Sequence, residues 1–227
     1  MIQLNNVSKA FGTGVFGLSD VTLSIAKGEF AFLVGSTGSG KTTLFRLLIR
    51  DIIPTNGTVF IGDYDIVKLP QYKIPILRKK IGVVFQDLKL LPDRTIFENV
   101  ILPLELVGSN KIEARNRVTD ILTQTGIVEH MDKFPVQLSG GELQRAAIAR
   151  ALVLSPDILL ADEPTGNLDP QTSKDIIKLL IDINEKGTTI LMATHNVDIV
   201  NNLSKRVIAL EKGHLIRDEK QGKYAIT

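Results

Sequence analysis

The sequence predicts an α/β fold built on a buried parallel sheet, and two features of its hydrophobic pattern indicate this. Runs that are almost continuously apolar are typical of strands covered by helices on both faces. Three such runs occur, at 29–34 (EFAFLV), 157–161 (DILLA) and 188–193 (TTILMA). Helical periodicity follows or separates them, at 41–49, 111–125, 141–154 and 170–186.

A second set of predicted strands, which are half-exposed, lies in the N-terminal part of the chain. The segments 2–7, 18–25 and 58–61 carry apolar residues near period two, with glycines between them. This pattern is typical of half-exposed strands, and we expect an N-terminal antiparallel β subdomain. The middle, about 88–153, has helical patterns and no convincing strand, so we interpret it as a helical subdomain inserted into the core. Together these parts predict a single domain over 1–227.

Composition narrows the possible functions. The chain has 227 residues, 44% of them hydrophobic, and a net charge of +2. That charge is too small to indicate nucleic acid or an anionic membrane as a partner. Because there are no cysteines, disulfides and thiolate metal sites are excluded. The N-terminus has no signal-peptide pattern, and no apolar run is long enough to span a bilayer. We therefore expect contact with a membrane only through a partner.

The segment 35–42, GSTGSGKT, fits the phosphate-loop (Walker A) pattern G-x-x-x-x-G-K-[ST] between a predicted strand and a predicted helix. Its glycines let backbone N–H groups surround phosphates, and the helix N-terminus adds free donors. Lys41 would reach the β- and γ-phosphates, and Thr42 would coordinate Mg²⁺. The alternative is a flexible turn with an exposed lysine. The predicted ATP-binding residues here are Gly35, Ser36, Thr37, Gly38, Ser39, Gly40, Lys41, Thr42 and Thr43.

Two adjacent carboxylates end the predicted strand at 158–161. Asp162 and Glu163 would point in opposite directions if the strand continued. One could therefore hold Mg²⁺ while the other acts on the attacking water. Taken alone, such a pair is more often the start of a solvated loop. The phosphate loop elsewhere in the chain makes the catalytic interpretation the better one.

A second candidate phosphate site begins the helix near 141. Ser139, Gly140 and Gly141 precede an alanine-rich helical run, which is typical of an anion-binding helix start. The alternative is an ordinary N-cap with a glycine turn. One nucleotide does not need two such sites, so this one is expected to bind the nucleotide held by another subunit. ATP would then join a homodimer.

Three segments together, LSGGELQR (138–145), GSTGSGKT (35–42) and ILLADEPT (158–165), resemble the ATP-binding cassette (ABC) ATPase family. The resemblance covers essentially the whole chain. It implies a P-loop NTPase (RecA-like) core that hydrolyses ATP to ADP and phosphate. It also implies that Ser139, Gly140, Gly141 and Glu142 bind ATP in trans across a head-to-tail dimer.

The same resemblance implies roles for isolated residues that the sequence alone would not single out. Gln86 would sense Mg²⁺ and the attacking water, and Asp169 would act across the dimer. His195 would contact the γ-phosphate, and Phe11 would stack on adenine. The implied catalytic residues are Glu163, His195 and Gln86, and the implied Mg²⁺ ligands are Thr42, Gln86 and Asp162. His130 and His214 lack such a setting, and we interpret them as structural.

Within the family, the chain is most similar to the cell-division branch. Three segments carry this resemblance: IGVVFQDLKLLPDRTIFENV (81–100), the segment 8–30, and ADEPTGNLDPQTS (161–173). It implies an integral membrane partner and a location at the cytoplasmic face of the cell membrane. ATP state would control cell-wall hydrolases through that partner. The surface around 87–107 is the candidate docking site for it.

Other functions remain open at this point. The chain could be the nucleotide-binding subunit of a lipoprotein-release or macrolide-efflux transporter. It could also be an ATP-gated scaffold in which hydrolysis is incidental. A DNA-repair or ribosome-linked ABC protein is disfavoured, because the sequence has one cassette, no coiled-coil insertion and no basic tail.

Overall fold

The structure is a computed structural model that describes residues 1–12 and 14–224. Its strands are β1 (Ile2–Phe11), β2 (Val15–Ile25), β3 (Phe30–Val34), β4 (Asn56–Ile61), β5 (Tyr64–Asp65), β6 (Ile81–Val84), β7 (Ile158–Asp162), β8 (Thr189–Ala193), β9 (Arg206–Glu211) and β10 (His214–Glu219). Its α-helices are α1 (Lys41–Leu48), α2 (Ile74–Lys79), α3 (Ile96–Leu106), α4 (Lys111–Gln124), α5 (Gly140–Leu152), α6 (Pro170–Glu185) and α7 (Val197–Leu203). The predicted domain over 1–227 also includes Thr13 and 225–227, which lie outside the described residues.

The larger sheet confirms the predicted parallel core. Its strand order is β10-β9-β3-β8-β7-β6, and β10 alone is antiparallel to its neighbour. Every residue of β3 and β8 is buried, as their apolar sequences predicted. Because β3, β6, β7 and β8 are parallel, their carboxyl ends meet at one edge of the sheet. That edge is where α/β proteins bind ligands.

The smaller sheet confirms the predicted N-terminal antiparallel subdomain. Its order is β2-β1-β4-β5. Apolar side chains from this sheet, from α1 and from one face of the parallel sheet form one core, in which Ile2, Leu44 and Leu191 are fully buried. The sheet therefore covers one side of α1 and fixes its N-terminus relative to β3.

The chain between β6 and β7 folds as α3, α4, α5 and two 3-10 turns. Val100, Val118 and Ile148 from these helices belong to the second core, together with Phe32 of β3. Each of the three helices begins with a side-chain cap, and Thr95 with Glu98 forms a full capping box at α3. No helix in the described ranges is long and apolar enough to cross a bilayer.

Several elements were not predicted from the pattern. β6 has four residues and includes Gly82, and α2 has six residues. Such short elements do not complete a recognisable period. α3 is interrupted by Pro103, which obscures its helical pattern. The strands β5, β9 and β10 and the helix α7 were also not assigned.

Candidate functional site

The loop between β3 and α1 can be built only with glycine at its two ends. Gly35 and Gly40 have φ of 151° and 111°. A Cβ at Gly35 would overlap the carbonyl oxygen of Leu210, and one at Gly40 would overlap that of Gly17. The backbone of the loop therefore lies directly against two neighbouring strands. This close packing fixes the direction in which α1 starts.

The N-terminus of α1 is open to a ligand. Its cap residue, Gly40, has no side chain to bind the first N–H groups, and no acidic side chain lies in the first turn. These N–H groups are free donors at the positive end of the helix dipole. A phosphate group has the complementary charge and acceptors.

A cavity of about 310 Å³ opens at this helix end. Residues from the loop and from the ends of β6, β7 and β8 meet in it, so most of the predicted site residues come together. Its lining consists of Gly17, Thr37, Gly38, Ser39, Gly40, Lys41, Thr42, Thr43, Gln86, Asp162, Glu163 and His195. Gly35 and Ser36 do not line it, but their carbonyl oxygens accept hydrogen bonds from Lys41 Nζ at 2.7 and 3.1 Å.

The cavity is lined by two carboxylates, those of Asp162 and Glu163, and by one ammonium group, that of Lys41. Burial raises the pKa of Asp162, and the neighbouring Glu163 carboxylate raises it further, while Lys41 partly opposes this. Burial also lowers the pKa of Lys41, and both carboxylates oppose that shift. A cation beside Asp162 would relieve the repulsion between the carboxylates. The ligands available there are oxygen atoms, from Thr42, Gln86 and Asp162, and Mg²⁺ prefers oxygen ligands.

Glu163 is held in a constrained position. Its backbone has a φ of 48°, which is disfavoured for a residue with a side chain and is often found at functional sites. Its Oε1 lies 2.8 Å from His195 Nδ1, and its side chain is 11% exposed against 69% for His195. Glu163 N also donates to the Ala193 carbonyl at 2.9 Å. The carboxylate is therefore fixed by β8 and the residues that follow it.

Phe11 lies at the rim of this site. A Cβ added to Gly17 would come within 2.7 Å of the Phe11 ring and of Thr43 Oγ1. The ring is 36% exposed, and Lys9 Nζ is 5.3 Å from its centre. Gly17 lines the cavity but was missed by sequence analysis. A glycine within a strand can mark a close approach, and that is the one signal it gives.

The predicted trans residues form a second cluster that does not line the cavity. Ser139 caps α5, and both its backbone N and its hydroxyl donate to Glu142 Oε2 at 2.7 Å. These bonds lower the pKa of Glu142. His130 Nε2 lies 3.0 Å from the other oxygen, Oε1. Glu142 thus acts within the chain as the partner of Ser139 in a capping box.

The start of α6 packs against this second cluster. Asp169 caps α6 through bonds from the N–H groups of Gln171 and Thr172, and Thr172 Oγ1 donates to its carboxylate. A Cβ at Gly141 would lie 2.5 Å from Thr172 Cγ2. Ser139, Gly140, Gly141, Glu142 and Asp169 therefore form one surface, separate from the cavity. We call the cavity and this surface the two half-sites, because an interface between two chains would combine one of each.

These two half-sites on an α/β core define a class of protein. Residues 18–166 match the family described as ABC transporter. The chain therefore belongs to the ATP-binding cassette family, as the three sequence segments predicted, and it is an ATPase of that family.

Individual relatives indicate which members of this family the chain is similar to. The chain is 47% identical to the cell division ATP-binding protein FtsE of Bacillus subtilis (strain 168), over 99% of this chain and 98% of that protein. It is 44% identical to FtsE of Escherichia coli (strain K12), over 95% and 97%. Among solved structures, it resembles one chain of the ATP-binding cassette MJ0796, in a dimeric structure bound to ADP and Pi. The TM-score is 0.88 and the identity 37%, over 99% of this chain and 100% of that chain.

The contact between Gly141 and Thr172 gives a first prediction. Gly141→Ala should destabilise the chain by about 1–2 kcal/mol, because the added methyl group overlaps Thr172 Cγ2. Adding Thr172→Ser removes that methyl group, keeps the hydroxyl that Asp169 binds, and should restore most of the loss. Urea unfolding followed by circular dichroism measures both. If the double variant is no more stable than Gly141→Ala, the close contact does not cause the loss.

The burial of Asp162 beside Glu163 gives a second prediction, about pH. The pKa of Asp162 is higher in the folded chain than its unfolded value of about 3.9, so ionisation of Asp162 destabilises the folded state. This loss is absent below the unfolded pKa and complete above the folded pKa. Asp162→Asn should therefore raise the melting temperature of the nucleotide-free chain at pH 8, and the gain should shrink toward pH 4.

The control for this variant is Asp157→Asn, which removes a half-exposed partner of Lys80. It should give no stabilisation at any pH, because exposed ion pairs contribute little. Thermal unfolding of both variants between pH 4.5 and 8 makes the comparison. An Asp162→Asn variant that is less stable than the parent at pH 8 would contradict the idea that burying the ionised Asp162 beside Glu163 destabilises the folded chain.

Proposed function

We propose that this chain is the ATP-binding and ATP-hydrolysing subunit of an FtsEX-like membrane complex that acts in cell division. The observation that carries the proposal is the 47% identity to a cell division ATP-binding protein over nearly the full length of both chains. ATP state would pass through a membrane partner to the control of cell-wall hydrolases.

ATP would bind along the loop and the start of α1. Its phosphates would accept hydrogen bonds from backbone N–H groups of 37–43, and Lys41 would exchange its bonds to the Gly35 and Ser36 carbonyls for phosphate oxygens. Phe11 would stack on the adenine. Burial already separates the Lys41 ammonium from bulk water, which strengthens its attraction to phosphate.

Thr42, Gln86 and Asp162 would hold Mg²⁺. The ion, when bound, neutralises charge on the phosphates. Glu163 would accept a proton from the attacking water. As the water oxygen bonds to the γ-phosphorus, the bond from the γ-phosphorus to the bridging oxygen breaks, which gives ADP and phosphate. His195 would contact the γ-phosphate, and its 2.8 Å contact with Glu163 would keep that carboxylate oriented.

Two copies would form a homodimer on ATP binding. The cluster at Ser139, Gly140, Gly141, Glu142 and Asp169 of one copy would meet the nucleotide held by the other. The solved dimers of MJ0796 support this arrangement, and one of them contains ADP and Pi. Loss of the γ-phosphate would remove the group that both copies bind, so the dimer would open.

An FtsX-like integral membrane protein is the proposed partner, and it would hold the chain at the cytoplasmic face of the cell membrane. The surface around 87–107 is the proposed docking site. Leu88, Leu90 and Phe97 pack partly against the core, whereas Leu106 is 79% exposed. The partner would therefore contact exposed side chains of this surface, such as Leu106. The partly buried leucines of the surface would stay packed against the core of this chain.

A nucleotide-binding subunit of a transporter is the second candidate function. The family description and the MJ0796 cassettes, which are 37% and 38% identical, favour it. The higher identity to cell division proteins favours the first.

Glu163→Gln tests the proposed base. The variant should bind ATP with Mg²⁺ as the parent does and hydrolyse it about 100-fold or more slowly, because glutamine cannot accept the proton. It should also accumulate as a dimer with ATP, observed by size exclusion with light scattering. Lys41→Ala is the matched control for binding and should lose ATP affinity by calorimetry. A Glu163→Gln variant that hydrolyses ATP at the parental rate would refute the assignment.

A binding comparison tests the proposed partner. The chain should be captured from detergent extracts by an FtsX-like membrane protein of the same genome, in preference to a permease of the lipoprotein-release type. Both are expressed with the same affinity tag and at the same level. Equal capture, or preference for the permease, would favour the transport function.

A further inference from the structure

The segment that follows Gln86 has a backbone that its sequence does not favour. Leu88 and Lys89 are consecutive residues with φ of 57° and 51°. Side-chain-bearing residues rarely adopt this left-handed conformation, and they keep it only where the surroundings enforce it. Contacts from outside residues 87–91 help to hold this segment, which we name the post-glutamine turn.

Arg150 of α5 supplies one hold. Its Nη1 donates to the Lys89 carbonyl and its Nη2 to the Leu88 carbonyl, each at 2.6 Å. The two acceptors belong to the two left-handed residues. Burial lowers the pKa of Arg150, so the guanidinium gives up hydration in order to bind these carbonyls. A planar fork can bind two adjacent acceptors at once, whereas a lysine ammonium has no such geometry.

Asn99 of α3 supplies the second hold. Its side chain is fully buried. Its Oδ1 accepts from Leu91 N at 2.7 Å, and its Nδ2 donates to the carbonyls of Leu91 and Thr95 at 3.0 and 2.9 Å. The turn is thus bound at one end to α5 and at the other to α3. Since a buried amide without partners is unfavourable, Asn99 also resists any opening of the turn.

The arrangement connects two parts of the site. Arg150 lies ten residues after Gly140, or about 15 Å along α5. The N-terminus of the same helix carries Ser139 and Gly141, while the turn that Arg150 holds begins next to Gln86 in the cavity. A helix is stiff over this length, so a displacement of its N-terminal cluster would move the post-glutamine turn as well.

We propose that Arg150 is a positioning residue that makes the post-glutamine turn move as one body with α5 and thereby sets the place of Gln86 in the cavity. The proposal rests on the proposed function, in which Gln86 contacts Mg²⁺ and water. It assigns a role in the reaction to an arginine that touches neither nucleotide nor metal. Contact of the cluster at Ser139–Gly141 with a nucleotide in trans would thus reach the cavity of the same chain.

Arg150→Lys tests the proposal in the full chain with its membrane partner. Arg117→Lys is the matched control, because Arg117 of α4 also binds two carbonyls, those of Leu152 and Val153 at the C-terminus of α5, and neither carbonyl belongs to the post-glutamine turn. In Arg150→Lys, hydrogen exchange at the amides of 88–91 should rise about tenfold. The kcat should fall about tenfold with the KM for ATP within about twofold, because residues 35–43 are untouched. Arg117→Lys should do neither.

A double variant decides whether Arg150 acts through Gln86. If it does, adding Arg150→Lys to Gln86→Ala should lower kcat no further. Independent, multiplying losses would overturn the proposal. So would unchanged hydrogen exchange in Arg150→Lys, whatever the activity. If Gln86→Ala alone keeps full activity, the link to Gln86 is refuted, while Glu163→Gln still tests the proposed function separately.

A further variant covers a failure to fold. Arg150→Met keeps the apolar stem and removes the buried charge together with both hydrogen bonds, so it spares the chain an unpaired buried cation. It should give the same increase in exchange at 88–91 and the same loss of kcat. Parental values for both in a folded Arg150→Met chain would overturn the proposal.

Discussion

The site depends on the burial and the mutual repulsion of two carboxylates that the end of β7 places side by side. Asp162 and Glu163 share a cavity with one ammonium, that of Lys41, and burial weakens the screening by water. The arrangement is unfavourable for the free chain. In the proposed function, phosphates and a cation would give each of these charges a partner and so relieve the cost. The parallel sheet is what makes this possible, since it brings the ends of four strands to one edge.

A second constraint keeps the two half-sites apart on one chain. The cluster at Ser139–Gly141 is built on α5 and packs on Thr172 at the start of α6, whereas the cavity is built on β3 and α1. In the proposed dimer, the cavity of one chain and the cluster of the other would bind the same nucleotide.

The sequence predicted what depends on local motifs. The loop 35–42, the acidic pair at 162–163 and the cluster at 139–142 each stand at the end of a strand or the start of a helix, where short patterns are informative. Gly17 could not be found in this way, because its role comes from contact with Phe11 and Gly40 across the sheet. The fork of Arg150 on Leu88 and Lys89 joins residues more than 60 positions apart. Periodicity also missed β6 and α3, where a glycine and a proline interrupt the pattern.

The capping box at α5 has a further consequence. The Ser139 hydroxyl already donates to Glu142 within the free chain. In the proposed dimer, an incoming phosphate would therefore have to compete with the Glu142 carboxylate for this donor. Closure of the proposed dimer would replace the Glu142 carboxylate with a phosphate oxygen as the acceptor of the Ser139 hydroxyl. When the phosphate leaves, the carboxylate would accept this hydrogen bond again. Without nucleotide, the donors of Ser139 thus keep an acceptor within their own chain.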